Sequence, residues 1–563
     1  MRQPSIAPSR PPARRLTRIP FVLGAIILCA SCSFIAHTVV SQGERPLRPK
    51  LIAHPVPKQT PRVIVFCLDG AGYDQLMEAI RSGKAPHIAG LLGKEKSNGV
   101  FEHGFAAPHV INVLPSSTVA DWSASFTGKP PALDGVPGDE WFDRQTKRFY
   151  APVPVTVTDT GDFSAMLDDD LIGKLLKVPT VYEQLRRRAY VSMLMVYRGA
   201  NLFTTVSPTA FTDLVGSLVT GTLGGEGALK SVSKTLDLDS TSKLLDAINE
   251  HGVPRLQVVY FPGIDLYTHA AADPLKAQVG YIEDYTDKAV GEVLGAYRKL
   301  GILPLTYVIF IADHGHTPVE DDDSHRRGPD DPGSPFAVLR AAGFRLRKAA
   351  LTLSAEEQDY QAVVASQGFM AYVYLADRST CVAKGEICDW ERRPRFKADV
   401  MHAVRALYRA NQDGDLAPQA KGTIDLIFAR NSGTAPFRIF DGRRLVSVDY
   451  YLKRHPRPDL VDLKQRMEWL GEGPYGYLAG DIVLLAKAST AIAVGGRYYF
   501  AAATHYSWHG SANADDSHVP LILASEELPG EVLRHIVLDI QDADAGPPSQ
   551  MDLAPLVLAL LGR

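Results

Sequence analysis

Cysteine is scarce in this 563-residue chain, with 5 in all. Two of these, Cys29 and Cys32, fall in one apolar N-terminal run, so the body of the protein has no Cys-x-x-Cys pair of the kind that builds a structural zinc site. Charge of either sign is not in excess either. The 60 Lys and Arg nearly balance the 63 Asp and Glu, leaving a formal net charge of −3, which argues against a broad cationic surface for nucleic-acid polymers. No internal repeat of useful length occurs. What the chain does have is 45% hydrophobic and 22% charged residues, enough for one large α/β core and a smaller lobe.

The amino terminus has the order of an export signal. Arg2, Arg10, Arg14, Arg15 and Arg18 precede an apolar run from Ile19 to about Ala36. Residues 19–40 are also long enough to span a bilayer as an uncleaved anchor, for which about 20 apolar residues suffice. Positive charge before it keeps that end cytoplasmic and sends the remainder outward. Val39-Val40-Ser41 is a candidate cleavage site and Ala30-Ser31-Cys32 an imperfect lipidation site, so export is expected with the mode of anchoring open. That places the protein in the periplasm or on the outer side of a membrane. Residues 42–60, with Pro46, Pro49, Pro55 and Pro57, read as a tether. In an oxidising compartment Cys381 and Cys388 could close a small disulfide loop, whereas Cys67 lies inside an apolar strand.

Downstream, strand-like and helix-like stretches alternate. Continuous apolar runs predict strands near 63–68, 191–196, 256–261, 306–311, 481–486 and 519–524, suited to a mostly parallel sheet covered on both faces. Val279, Ile282, Ala289, Val290, Val293, Leu294 and Tyr297 mark the core face of a helix. Residues 346–475 differ in texture: a helix near 398–410 and strand-like pieces at 370–375 and 423–428 predict an α+β lobe. It interrupts a catalytic core expected over 61–345 and 476–563. The acidic run Glu320-Asp321-Asp322-Asp323 lacks the ordered ligand spacing of a calcium loop and reads as a solvated loop.

Potential metal ligands gather just after these strands: Asp69 after the first, Asp265 and His269 after the third, and Asp313-His314 after the fourth. Thr118, Asp139 and a late His509-Gly510 complete the set. In open α/β sheets ligands bind beyond the carboxyl ends of the strands, where residues distant in sequence converge. The oxygen and nitrogen donors suffice for two zinc-like ions.

Thr118 in Leu-Pro-Ser-Ser-Thr-Val-Ala-Asp-Trp, the Asp-x-x-x-His at 265–269, Asp313-His314-Gly315 and His509-Gly510 together resemble the alkaline phosphatase superfamily, in its type I phosphodiesterase/nucleotide pyrophosphatase branch. The resemblance runs from about residue 62 to the end, includes Ala85-Pro86-His87-Ile88 and Asp552-Leu553-Ala554-Pro555, and is weak over about 346–470. It implies an alkaline phosphatase-like α/β core. It assigns one metal to Asp265, His269 and His509, and a second to Asp69, Asp313, His314 and the Thr118 oxygen. Thr118 is then the nucleophile that forms a phospho-enzyme on a small phosphoester or headgroup substrate. His505, four residues before His509, competes for the same ligand position; the family's His-Gly pattern favours His509.

Two departures bear on the substrate. Where the family usually carries an asparagine that donates to a phosphoryl oxygen, this chain has Asp139, an acceptor when ionised. Secreted phosphomonoesterases of the superfamily carry Lys-x-Arg-Gly-Ala; here Arg198-Gly199-Ala200 is present but the lysine position is Val196. Half of a dianion clamp is thus missing, which ranks diesterase above monoesterase. His316, in Asp-His-Gly-His, is a candidate contact for a substrate oxygen. Sulfatase chemistry is disfavoured because the Cys/Ser-x-Pro-x-Arg precursor of formylglycine is absent. A non-catalytic envelope protein that binds a headgroup is the alternative of another class, kept alive by Asp139.

Overall fold

The computed structural model describes residues 59–152, 171–186, 189–192, 196–202, 225–348, 353, 357–543 and 546–562. The export segment 1–41 and nearly all of the 42–60 tether lie outside them. Among the described residues no helix is long and apolar enough to cross a membrane.

Nine strands form the main sheet: β1 (Arg62–Leu68), β2 (Glu95–Ser97), β3 (Val100–Phe101), β4 (Gly104–Ala106), β5 (Ala189–Val191), β6 (Asn201–Leu202), β7 (Leu256–Phe261), β8 (Thr306–Ile311) and β9 (Leu521–Ala524). Their spatial order is β2-β3-β4-β9-β8-β1-β7-β5-β6. From β8 to β6 every pair is parallel, while β9, β4, β3 and β2 continue the sheet by antiparallel pairing. The central strand β1 reads Arg-Val-Ile-Val-Phe-Cys-Leu and is buried throughout, because helices cover both faces of the sheet. Cys67 is the free thiol within it. The predicted helical stripe is observed as well. Val279, Ile282, Ala289, Val290, Val293, Leu294 and Tyr297 are all buried along a helical run from Pro274 to Lys299, which widens to a π-turn at Ile282–Thr286.

The lobe is a six-stranded antiparallel sheet. Its order is Ala362–Gln367, Met370–Leu375, Ile482–Ala486, Ile424–Ala429, Arg438–Phe440 and Leu445–Ser447, with the helix Met401–Asp413 against it. One expectation is corrected here. The apolar run near 481–486 was expected in the returning core, yet it lies inside the lobe sheet, paired to Met370–Leu375 on one side and Ile424–Ala429 on the other. A continuous apolar run predicts a strand buried on both faces, and it says nothing about which of two sheets buries it. The strand expected near 191–196 ends at Val191, and Met193–Met195 lie outside the described residues.

Cys381 and Cys388 are disulfide-bonded and buried against Trp390 and the lobe core. Closing a loop this short stabilises by roughly 2–3 kcal/mol through the unfolded chain. Thermal melts with and without reductant should therefore separate by a few degrees, and superimposable melts would show that the crosslink adds nothing. The run Glu320–Asp323 is exposed, as a solvated loop should be, with Asp323 paired to Arg326 at 3.0 Å.

Candidate active site

The parallel registers place three strand ends side by side: Leu68 of β1 faces Phe261 of β7, and Cys67 faces Ile311 of β8. Asp69 and Asp313-His314 follow two of these ends directly. After β7 the chain turns into α2 (Gly263–Ala270), and Asp265 and His269 fall one helical turn apart on one face of it. Thr118 is the first residue of α1 (Thr118–Thr127), an internal helix whose next nine residues are all buried. His509 arrives on a short strand, Ser507–Trp508, that pairs with Thr317–Pro318 just beyond His316.

These elements bring seven side chains into three overlapping groups. They are Asp265 with His269 and His509, Asp69 with Asp313 and His314, and Asp265 with His314 and His316; within each, the ligand atoms lie within 4.8 Å of one another. Thr118 Oγ1 sits 3.2 Å from His314 Nε2. The second shell of contacts fixes which ring nitrogen faces inward. His269 Nδ1 meets the Ser507 carbonyl at 2.8 Å, His509 Nδ1 the Ser116 carbonyl at 2.9 Å, and His314 Nδ1 the Gly315 carbonyl at 3.1 Å. A carbonyl only accepts, so each Nδ1 carries the proton and each Nε2 presents a lone pair to the cluster. The carboxylates follow the same plan. Asp313 Oδ1 accepts from the Gly70 and His314 amides, at 3.0 and 2.9 Å, and Asp69 Oδ2 accepts from the Tyr260 hydroxyl. Asp313 Oδ2 and Asp69 Oδ1 are left buried without a hydrogen bond.

Residues 63–365, more than half of the 563, match the type I phosphodiesterase/nucleotide pyrophosphatase family. The chain belongs to that family. It is accordingly a hydrolase acting on phosphoric ester bonds. Murine ectonucleotide pyrophosphatase/phosphodiesterase 5 superposes on it with a TM-score of 0.47, at 12% sequence identity, over 89% of this chain and 95% of that one. His509 lies beyond the matched span, and its place beside Asp265 comes from the pairing of 507–508 with 317–318.

The donor set of this phosphodiesterase fits a divalent cation. Burial pushes the Asp69 and Asp313 carboxyls well above the usual carboxylate range, Asp265 adding to the effect on Asp69 and Asp69 to that on Asp313. Burial also pushes His314 down to about 3 and His509 well below the usual imidazole range. Three carboxylates and three inward lone pairs in a dry pocket repel one another unless positive charge stands among them. Asp265 and His269 lie on the more open side, retaining 14% and 12% side-chain exposure where Asp69, Asp313 and His314 have 3% or less. Burial raises Asp265 as well, but in the metal-free protein the adjoining His269, itself raised by Asp265, supplies the positive charge as a protonated ring and with His316 holds the carboxyl well below its usual range.

The remaining sequence candidates are placed as follows. Asp139 does reach the cluster: its Oδ1 accepts the Val119 amide at 2.9 Å, in the first turn of α1, and burial pushes its carboxyl up to about 6. His316 is fully buried, so a solvent-facing role is excluded. It lies 3.0 Å from Asp265 Oδ1, with Nδ1 3.0 Å from Ser507 Oγ, so it backs the ligand cluster. Arg198 is not brought to the cluster by any contact among the described residues. Its guanidinium donates to the carbonyls of Gly173, Leu176 and Val178 and to the Glu183 carboxylate, which staples the 173–183 segment. The dianion clamp read from Arg198 is thus replaced by a structural one. His505 stacks beside His269 and Trp508, at ring distances of 5.0 and 5.1 Å, outside all three ligand groups.

Several supporting residues carried no signal in the sequence. Tyr260 reads as an ordinary strand residue, yet it fixes Asp69. Asn112 Nδ2 donates to the carbonyls of Asp313 and Asp516 at 2.9 and 3.1 Å, and fully buried Arg466 donates to Asn112, to Ser116 Oγ and to the Val113 carbonyl. Together they brace the 112–118 segment that delivers Thr118.

Proposed function

We propose that this hydrolase cleaves small phosphodiesters or phosphoanhydrides through a phospho-threonine at Thr118. Asp265, His269 and His509 would hold one zinc-like ion, and Asp69, Asp313, His314 and the Thr118 oxygen a second. The observation that carries this reading is the position of Thr118 Oγ1, half-buried at the start of a buried helix and 3.2 Å from His314 Nε2. A threonine hydroxyl is a weak nucleophile at neutral pH. Divalent ions bound at these ligands would supply Lewis acidity, favouring the alkoxide and neutralising phosphoryl charge. The helix amide dipoles at the start of α1 add a positive field at the same spot. Oγ1 attacks phosphorus in line, and the bond to the leaving oxygen breaks with its electron pair going to that oxygen. Water then cleaves the Thr118–phosphate bond and restores the hydroxyl.

Diesters rank above monoesters because Val196 stands at the lysine position and Arg198 is committed to three carbonyls and Glu183, so neither half of the dianion clamp is in place. Turnover of zinc-loaded protein on p-nitrophenyl phosphate, bis-p-nitrophenyl phosphate and p-nitrophenyl sulfate tests the ranking; strong activity on the monoester alone reverses it. Asp139→Asn keeps an oxygen for the Val119 amide and adds an N–H donor. Its kcat/KM on the diester should rise about ten-fold, since one donor to a developing anion is worth up to about 10²-fold or more. A fall would mean that the carboxylate serves only the helix start.

Export belongs to the same proposal, supported by the arginine-flanked apolar run and the Cys381–Cys388 disulfide. Fractionation of cells expressing the full chain checks it: recovery in the cytoplasm alone would end that part of the reading.

A further inference from the structure

One place where the lobe packs on the catalytic centre is the two-residue turn between strands Ala362–Gln367 and Met370–Leu375. Gln367, 1% exposed, ends the first of these strands. Its side-chain Oε1 accepts the Asp139 amide at 2.8 Å, while its Nε2 donates to the Glu140 carbonyl. One primary amide thus closes on both backbone polar groups of a single peptide segment, as a neighbouring strand would. The approach is so close that a Cβ at Gly138 would stand 2.3 Å from Gln367 Oε1. On the other side of the turn, the Phe369 amide donates to the His509 carbonyl at 3.1 Å, and a Cβ at Gly510 would lie 1.9 Å from the Gln367 carbonyl oxygen. The glycine of the His-Gly motif is therefore required by the lobe turn that packs on it.

We propose that Gln367 is a positioning residue of the active site, holding the Asp139 loop and, through the Asp139 carboxylate on the Val119 amide, the first turn of α1 that carries Thr118. The inference rests on the reading of Thr118 and Asp139 given above. Nothing on the lobe touches Thr118 itself in this scheme; the influence passes through hydrogen bonds of 2.8 Å (Gln367 to Asp139) and 2.9 Å (Asp139 to Val119). Removing the amide takes the Gln367 acceptor from the Asp139 N–H and the Gln367 donor from the Glu140 carbonyl, and the loop must shift to compensate.

A double-mutant cycle tests the route. Gln367→Ala should lower kcat/KM on bis-p-nitrophenyl phosphate about 10- to 100-fold, the usual effect of losing an outer partner of a site residue. In an Asp139→Ala background the same change should cost less than about three-fold, because the relay is already broken. Equal losses in both backgrounds, or none in either, overturn the proposal. Gln367→Glu, which keeps the acceptor for Asp139 and loses the donor to Glu140, should fall between wild type and Gln367→Ala. Hydrogen exchange gives a readout that does not depend on turnover: peptides over 117–121 and 138–141 should lose protection in Gln367→Ala while the lobe helix 401–413 does not. Unchanged exchange at 117–121 also overturns the proposal. A wild-type protein inert on every phosphate ester would instead sink the phospho-threonine reading, with the exchange result still deciding what Gln367 holds.

Discussion

Thr118→Ala is expected to fold, keep its metal and lose at least three orders of magnitude in diester turnover. The substitution removes the atom proposed to attack phosphorus, leaving electrostatic and binding effects that by themselves give modest acceleration. Its neighbours argue for an intact fold. The side chain meets His314 Nε2, whereas the segment before it is held by Arg466, Asn112 and Ser116. Thr118→Ser should retain measurable turnover because the hydroxyl survives, and acid-quenched wild-type enzyme should yield a phosphorylated peptide containing Thr118. Wild-type rates in Thr118→Ala would remove covalent catalysis and leave water as the nucleophile.

The second large effect is expected on stability. Elemental analysis of protein purified without chelator should find close to two transition-metal ions per chain. Each ion at a hundred times its Kd contributes about 2.7 kcal/mol to the folded state, so chelation should lower the melting temperature by several degrees. Asp313→Ala removes a carboxylate whose Oδ1 is gripped by the Gly70 and His314 amides, and should drop the content to about one ion. Full occupancy in that variant would mean that the ligands are assigned wrongly. In the stripped protein the imidazoles add a pH dependence. His314 has an ordinary value of 6.5 and is pushed down to about 3 by burial, so between these values the unfolded chain takes up a proton that the folded chain refuses. Its share of the stability should therefore fall as the pH is lowered through 6.5 towards 3, whereas the raised Asp69 and Asp313 carboxyls act in the opposite sense, so denaturant melts of metal-free wild type and His314→Gln at a series of pH values should differ by that slope.

Much of the centre is legible in the chain because strand ends and helix spacing are local properties. Leu256–Phe261 and Thr306–Ile311 are continuous apolar runs, and they are strands within the same limits. Asp265 and His269 are four apart, which on any helix puts them on one face. His509 could be told from His505 only through the family pattern, since the pairing that selects it joins Thr317–Pro318 to Ser507–Trp508 across the fold. What stayed hidden depends on partners remote in sequence. Gln367, Arg466 and Tyr260 are ordinary residues until the fold sets them against Asp139, Asn112 and Asp69. Arg198 erred in the other direction: a motif-like neighbourhood suggested a substrate contact, and the carbonyls of 173–178 claimed the guanidinium first.

The position of β9 in the sheet has a bearing on when this enzyme can first act. Although it is the last strand of the chain, it is inserted between β8 and β4, and His509 arrives only a few residues before it. A nascent chain that has already emerged through β8 has two strand edges waiting for a segment more than 200 residues away, a contact of high sequence separation and slow to form. Until that segment is made and threaded in, Asp265 and His269 lack their third partner and the sheet remains split. Hydrolysis is thus withheld from every incomplete or unfolded chain, and under the proposed export the active centre would be built only after the chain has crossed the membrane.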